Sequence, residues 1–202
     1  MQTENKPAME VRNLSFAYGK NRVLKDISFR IKEGDITTIM GANGCGKTTL
    51  FRTILGQIAP LSGTVELGDY LEIGYFEQEA DPGNTSTCIE ELWKEFPSYT
   101  QYQVRAALAK CGLTTKNIES QVRVLSGGEQ AKLRLCKLIN RESNVLFLDE
   151  PTNHLDVDAK DELKRALKEY KGTIILTCHE PEFYQDIATR VLDCSQWSLR
   201  IG

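Results

Sequence analysis

The segment Gly41-Ala42-Asn43-Gly44-Cys45-Gly46-Lys47-Thr48 restricts the possible folds of this chain more than any other. It fits G-x-x-x-x-G-K-[ST], follows the apolar run Ile36–Met40, and precedes Leu50, Phe51, Ile54, Leu55 and Ile58, which share one helical face before Pro60. A strand, a glycine turn and a helix start, in that order, let successive N–H groups converge on an anion, and the positive end of the helix dipole adds to the attraction. In such a loop Lys47 reaches the β- and γ-phosphates of a nucleotide and the Thr48 hydroxyl ligates Mg2+. A bare glycine-rich turn at a helix start is the alternative; residue types and strand–helix context together weigh against it.

The chain has 202 residues, enough for one domain with a subdomain and a core that buries about 70% of the unfolded surface. With 41% hydrophobic and 26% charged residues, disordered and collagen-like classes are excluded. No apolar run approaches the ~20 residues of a membrane helix, and the polar start Met1–Lys6 lacks a signal-peptide pattern. Six scattered cysteines without a Cys-x-x-Cys pair read as reduced thiols of a cytosolic protein; with only His154 and His179 beside them, a zinc site is not expected. A net charge of −3 provides no global basic field for nucleic acid.

Alternation in Ile27, Phe29 and Ile31 predicts an antiparallel strand paired with Val11–Phe16. Strands are expected at Gly63–Leu67 and Leu71–Phe76. Helices follow from Thr87 to Phe96 and from Tyr99 to Cys111, the second closed by Gly112. A helix from Gly127, a strand Asn144–Leu148, a helix Asp158–Tyr170 closed by Gly172 and a strand Thr173–Cys178 complete the β/α rhythm. The fold class expected is α/β: a mainly parallel sheet with flanking helices, an N-terminal antiparallel β layer and a helical subdomain near 79–140.

Two further motifs carry chemistry. Asn144–Leu148 ends in Asp149-Glu150, at the sheet edge where α/β proteins bind ligands. Asp149 suits Mg2+ and Glu150 suits polarising a water aimed at the γ-phosphate; adjacent strand residues point to opposite sides, so the two acids can act separately. A solvated strand exit is the plainer alternative. Leu125-Ser126-Gly127-Gly128-Glu129-Gln130 reads first as a capping box, Ser126 with Glu129, ahead of an apolar face of Ala131, Leu135, Leu138 and Ile139. Yet glycines in a first helical turn cost about 1 kcal/mol each against alanine. They suit close approach of an anion to the helix tip, a second phosphate surface that need not face the first within one molecule.

These three motifs in this order resemble the ATP-binding-cassette (ABC) ATPases, and the resemblance covers nearly the whole chain. It implies ATP and Mg2+ as ligands, and a site made of Gly41, Asn43, Gly44, Cys45 (backbone only), Gly46, Lys47, Thr48 and Thr49. It implies that Tyr18 stacks on adenine, that Gln78 in Tyr75-Phe76-Glu77-Gln78 senses Mg2+ and γ-phosphate, and that His179 contacts the γ-phosphate. It also implies a second cassette paired head-to-tail, so that Ser126, Gly127, Gly128 and Glu129 act on the partner's ATP. On the residues alone, Tyr18 could be a packing aromatic and His179 a structural histidine. Lys160, Lys164, Lys168 and Lys171 could contact RNA, but the interleaved Asp161, Glu162 and Glu169 favour a solvated helix face.

Within that family the chain is most similar to the ABC-F class, soluble twin-cassette proteins acting on ribosomes. Asp149-Glu150-Pro151-Thr152-Asn153-His154-Leu155-Asp156, a short insertion with Ser126 only 48 residues after Gln78, and Leu133-Arg134-Leu135-Cys136-Lys137-Leu138 carry this resemblance. Two departures stand out: the sequence has one cassette and no helical linker, and Cys178-His179-Glu180 replaces the commoner Ser-His-Asp. Residues 1–202 are therefore expected to form a single nucleotide-binding domain, a fragment like the second cassette of a twin-cassette protein. The expected activity is Mg-dependent ATP hydrolysis in the cytoplasm, in a translation factor or an antibiotic-resistance ribosome-protection protein. The ATPase subunit of a membrane transporter is the alternative, and a regulator timed by hydrolysis a third reading. Chromosome-maintenance ATPases are excluded, since their coiled coils would separate the phosphate loop from the signature.

Overall fold

The alternation near the N-terminus resolves into two strands of 12 residues each, β1 Pro7–Tyr18 and β2 Asn21–Lys32, longer than the pattern alone suggested. In this computed structural model, which describes residues 7–76 and 83–197, β3 Ile36–Met40 and β4 Ser62–Leu67 follow. β1 lies between β2 and β4, antiparallel to both. Met9, Val11 and Leu14 of β1 and Leu24, Ile27, Phe29 and Ile31 of β2 are buried, so the period-2 face became the core face.

Among the described residues, 7–73, 143–150 and 171–197 form one compact unit, and 74–76, 83–142 and 151–170 another. The strand β5 Ile73–Phe76 begins at the boundary. Among the strands lying wholly in the first unit, β6 Val145–Asp149, β7 Thr173–Thr177 and β8 Arg190–Asp193 join β3 in a parallel sheet ordered β6-β7-β3-β8. Parallel strands covered on both faces read as continuous apolar runs, and every residue of β6 and β7 is buried. Helix α1 Lys47–Ile54 packs here, with the Phe51 ring edge-on to Phe147 at 5.1 Å. It stops short of Leu55 and Ile58 because Gly56 turns the chain at φ 71.

The second unit holds α2 Cys88–Glu95, α3 Gln101–Lys110, α4 Thr115–Glu119, α5 Gly127–Asn140 and α6 Val157–Glu169. A four-residue α7 Pro181–Tyr184 belongs to the first. Thr87 with Glu90, Thr100 with Gln103 and Ser126 with Glu129 all form reciprocal capping boxes, so α2, α3 and α5 start where hydroxyl and carboxyl or amide partners satisfy the first N–H groups. Cys88, Leu92, Val104, Leu108, Ile118, Leu133 and Cys136 make up much of its core. Two expectations are corrected and one helix is new. Ala131, Leu135 and Leu138 are buried as expected, but Ile139 is exposed and Leu133 and Cys136 are buried too, so the inner face of α5 is wider than the stripe expected and does not reach Ile139. Tyr170 caps α6 in an extended conformation, and Gly172 takes no positive φ. The short α4, capped by Thr114, was not foreseen because five residues hold too little periodicity.

Glu91 ties α2 to α5. Burial by itself pushes its carboxyl up, but hydrogen bonds from Lys137 and Lys94, both at 2.9 Å, override it and hold it at about 2. A carboxyl lowered on folding adds stability above its unfolded pKa of ~4.3 and loses it as pH falls through the folded value. Stability of the wild-type protein should therefore decline between about pH 5 and pH 2, and Glu91→Gln should flatten that decline in urea titrations. Leu92→Ala, at a fully buried site, should cost about 2–5 kcal/mol, while Thr100→Ala should cost about 1 kcal/mol through its cap.

Candidate functional site

Gly46, the N-cap of α1, adopts φ 101, and a Cβ there would come within 2.9 Å of Val23 Cγ1. Only glycine fits, so the last turn of the loop feeds directly into the helix that presents Lys47. The Lys47 side chain is buried; its Nζ donates to the Gly41 carbonyl at 2.7 Å and the Ala42 carbonyl at 3.3 Å, and lies 3.4 Å from Glu150 Oε1. The Cys45 amide donates to Ala42 O at 3.2 Å. Asn43, Gly44 and Thr48 are exposed, and Thr49 is buried, its carbonyl accepting the Thr53 hydroxyl at 2.8 Å.

Strand β6 delivers the two acids, but not as the pleat predicts. Asp149 is the last strand residue and Glu150 lies beyond it in a left-handed turn at φ 48. The divergence of the two carboxylates arises from this turn, which for a residue without glycine's freedom costs about 1–3 kcal/mol and needs support. Thr177, the residue paired with Asp149 across the β6–β7 ladder, supplies it. Its hydroxyl donates to Asp149 Oδ1 at 2.8 Å and accepts the Glu150 N–H at 2.8 Å, with no solvent exposure. Thr177 was missed from sequence; the only signal was a polar residue closing an otherwise apolar strand.

Glu150 is nearly buried, and its Oε2 lies 2.8 Å from His179 Nδ1. A carboxylate oxygen accepts, so Nδ1 is the donor of this pair. Glu150 Oε1 has no hydrogen-bond partner among the described residues. The structure thus brings Lys47, Asp149, Glu150 and His179 together around one turn. His179 sits in a bend two residues past the end of β7 rather than on the strand. Tyr18 ends β1 half exposed, edge-on to Phe16 with ring centres 4.9 Å apart. Gln78 lies outside the described residues.

In the second unit, Ser126 caps α5 with its hydroxyl on the Glu129 N–H, and Glu129 Oε2 accepts the Ser126 N–H at 2.7 Å. The Asn117 side chain also donates to Glu129. Gly128 has a cause inside the fold. A Cβ on Gly128 would lie 2.6 Å from the His154 carbonyl oxygen, and one on Gly127 3.4 Å from His154 Cβ. His154 itself is left-handed at φ 66, and Asp156 two residues on caps α6 through the Ala159 N–H. Close packing on this turn therefore accounts for Gly128 independently of any anion, whereas a Cβ at Gly127 would meet only ordinary contact.

The donor chemistry fits ATP with Mg2+. Thr48 and Asp149 offer hard oxygens, and no group of three or more His, Cys, Asp or Glu able to hold a metal occurs among the described residues. Mg2+ bound through one or two protein oxygens and completed by phosphates and water matches that set.

The family described as ABC transporter matches residues 24–153. The chain is 58% identical over 200 residues to the "Uncharacterized ABC transporter ATP-binding protein YfmM" of Bacillus subtilis, covering 99% of this chain and 38% of that protein. It is 38% identical over 190 residues to the "Energy-dependent translational throttle protein EttA" of Haemophilus influenzae, covering 92% of this chain and 34% of that one. Its fold matches the dimeric, post-hydrolysis structure of the ATP-binding cassette MJ0796 bound to ADP and Pi with a TM-score of 0.76 at 22% identity, over 92% of this chain and 93% of that one. The chain belongs to the ABC transporter family: it is an ATP-binding-cassette ATPase domain that takes ATP with Mg2+, similar to members of the ABC-F class. It spans only 38% and 34% of the two relatives named.

Thr177→Val should keep the fold while slowing hydrolysis, and should destabilise by about 1–3 kcal/mol because the Glu150 N–H loses its partner. Thr177→Ser should restore both; chemical denaturation and steady-state turnover check the pair.

Proposed function

We propose that this domain hydrolyses ATP by in-line attack of water, with Glu150 as the general base. The observation that carries the reading is Glu150 Oε1, a buried acceptor with no hydrogen-bond partner among the described residues, held between Lys47 and His179. The loop amides from Gly41 to Thr48 and the Lys47 ammonium hold the phosphates, and an incoming triphosphate competes with the Gly41 and Ala42 carbonyls for that ammonium. Thr48 and Asp149 would hold the Mg2+, whose charge neutralises the phosphate oxygens when bound. Glu150 Oε1 takes the proton of the attacking water. His179 orients Glu150 through Nδ1, and its Nε2 faces the terminal phosphate. Tyr18 stacks on the adenine, and Gln78 reports the γ-phosphate.

The whole protein is proposed to carry two cassettes that pair head-to-tail when ATP binds, each signature (Ser126, Gly127, Gly128, Glu129) completing the other's site. Its action is proposed to be on the ribosome in the cytoplasm, in translation or in ribosome protection against antibiotics. Support comes from Asn153-His154, from the similarity to the energy-dependent translational throttle protein EttA, and from the dimeric state of the MJ0796 cassette. Among the described residues no helix is long and apolar enough to cross a membrane. The second reading, a transporter's ATPase subunit, draws on a groove of about 190 Å³ lined by Phe76, Glu95, Arg134, Lys137 and Arg141, room for one anchoring side chain of a membrane subunit's coupling helix.

Glu150→Gln should retain ATP binding and slow hydrolysis about 10²–10⁴-fold, and Lys47→Ala should lose nucleotide affinity. Unchanged turnover in the first variant removes Glu150 from its role. The full-length Glu150→Gln protein should co-sediment with ribosomes in ATP; co-purification with a membrane subunit instead would establish the transporter reading.

A further inference from the structure

Cys45 occupies the middle of the phosphate loop, and its Sγ lies 2.7 Å from the Sγ of Cys194, at the start of the short 3-10 turn after β8. Both sit in the first unit, 149 residues apart in sequence, and both are free thiols. Their closeness depends on Gly41: a Cβ there would lie 2.7 Å from Cys45 Sγ and 2.9 Å from Cys194 Cβ, so any larger residue would fill the space in which the sulfurs meet. The two sulfurs stand about 0.65 Å beyond a disulfide bond length of about 2.05 Å. Lining up two sulfurs so distant in sequence is the costly part of forming such a bond, and the fold has already done it.

We infer that Cys45 and Cys194 form a reversible disulfide that locks the phosphate loop and weakens nucleotide binding. The inference rests on the ATP-binding reading of that loop. Half-buried Cys45 is the sulfur a small reagent can reach, whereas Cys194 is buried. Burial, and then the contact with Cys45, pushes the Cys194 thiol up, which suits it to resolving rather than initiating exchange. The oxidant is a low-molecular-weight disulfide. The Cys45 thiolate attacks one of its sulfurs and expels the first small thiolate; Cys194 loses its proton to solvent, attacks Cys45 Sγ of the mixed disulfide and expels the second. Two protein thiols thereby give up two electrons and two protons, and the small disulfide becomes two thiols.

The consequence for the site follows from the hydrogen bonds around it. In the loop geometry that sets the sulfurs together, the Cys45 amide donates to Ala42 O and the Lys47 ammonium is held by the carbonyls of Gly41 and Ala42. Phosphate binding needs that amide and that ammonium turned to the ligand, so a bond that fixes Cys45 opposes it. By linkage the effect is reciprocal: bound nucleotide must hinder the cross-link by the same factor that the cross-link weakens nucleotide.

The test titrates the protein with glutathione disulfide in glutathione, and reads non-reducing peptide maps alongside Mg-ATP affinity. Expected are a Cys45–Cys194 linked peptide, a loss of ATP affinity within the 5–150-fold span usual for coupled sites, recovery with dithiothreitol, and a smaller cross-linked fraction at each redox ratio in saturating Mg-ATP. Cys194→Ala, or Cys194→Ser if the alanine variant folds poorly, should bind ATP like the reduced parent and ignore the oxidant. Glutathione left on Cys45 without the cross-link, a link between Cys111 and Cys136 alone, or a Cys45–Cys194 link with unchanged affinity would each overturn the inference. If the reduced protein binds no Mg-ATP, the nucleotide reading fails on that measurement and takes the regulatory consequence with it, while the peptide map still decides whether the bond forms.

Discussion

The chemistry of this domain hangs on one hydroxyl. Thr177 bridges two parallel strands at the sheet edge, donating to Asp149 and accepting from the backbone of Glu150. Without it the left-handed turn at Glu150 would leave a buried N–H unpaired and the Asp149 carboxylate unanchored, a double cost in a region where burial magnifies every unmet polar group. With it, a carboxylate is aimed away from the strand that delivers it, toward a lysine from the helix start and a histidine from the next strand's exit.

How much of this could be read in advance depended on how local each cause is. The phosphate loop, the Asp149-Glu150 pair and the Ser126–Glu129 capping box are set by residues within a few positions of one another, so their spacing alone identifies them, whereas the boxes at Thr87 and Thr100 were not read from their equally local spacing. Thr177 could not be found that way, since its role exists only once β6 and β7 pair in register with Thr177 opposite Asp149. For the same reason the explanation of the two acids was at fault: strand alternation would separate them, but the strand ends before Glu150. The Cys45–Cys194 contact likewise joins distant segments, and counting cysteines in a sequence without paired motifs made them look unrelated.

The helical unit shows the opposite balance. Its α2, α3 and α5 begin within a residue or two of where their hydroxyl caps stand in the sequence, because a cap is a local bond. The inward face was only partly legible: at α5 the periodicity gives Ala131, Leu135 and Leu138, while the burial of Leu133 and Cys136 follows from the company of Cys88, Leu92, Val104 and Leu108. The ion pair of Glu91 with Lys137 then fastens α2 to α5 at the rim of that core, while Lys94 pairs with Glu91 within α2.

The fit of Gly128 beneath the His154 carbonyl has a consequence for motion and for sequence drift. With no side chain between them, the tip of α5 and the turn at His154 stand in direct backbone contact, so a displacement of either toward the other meets backbone at once, without a hydrogen bond to transmit it. A family member that reshaped one of these two short segments would have to reshape its neighbour in step, which makes them a joined pair in the evolution of the domain rather than two separate motifs.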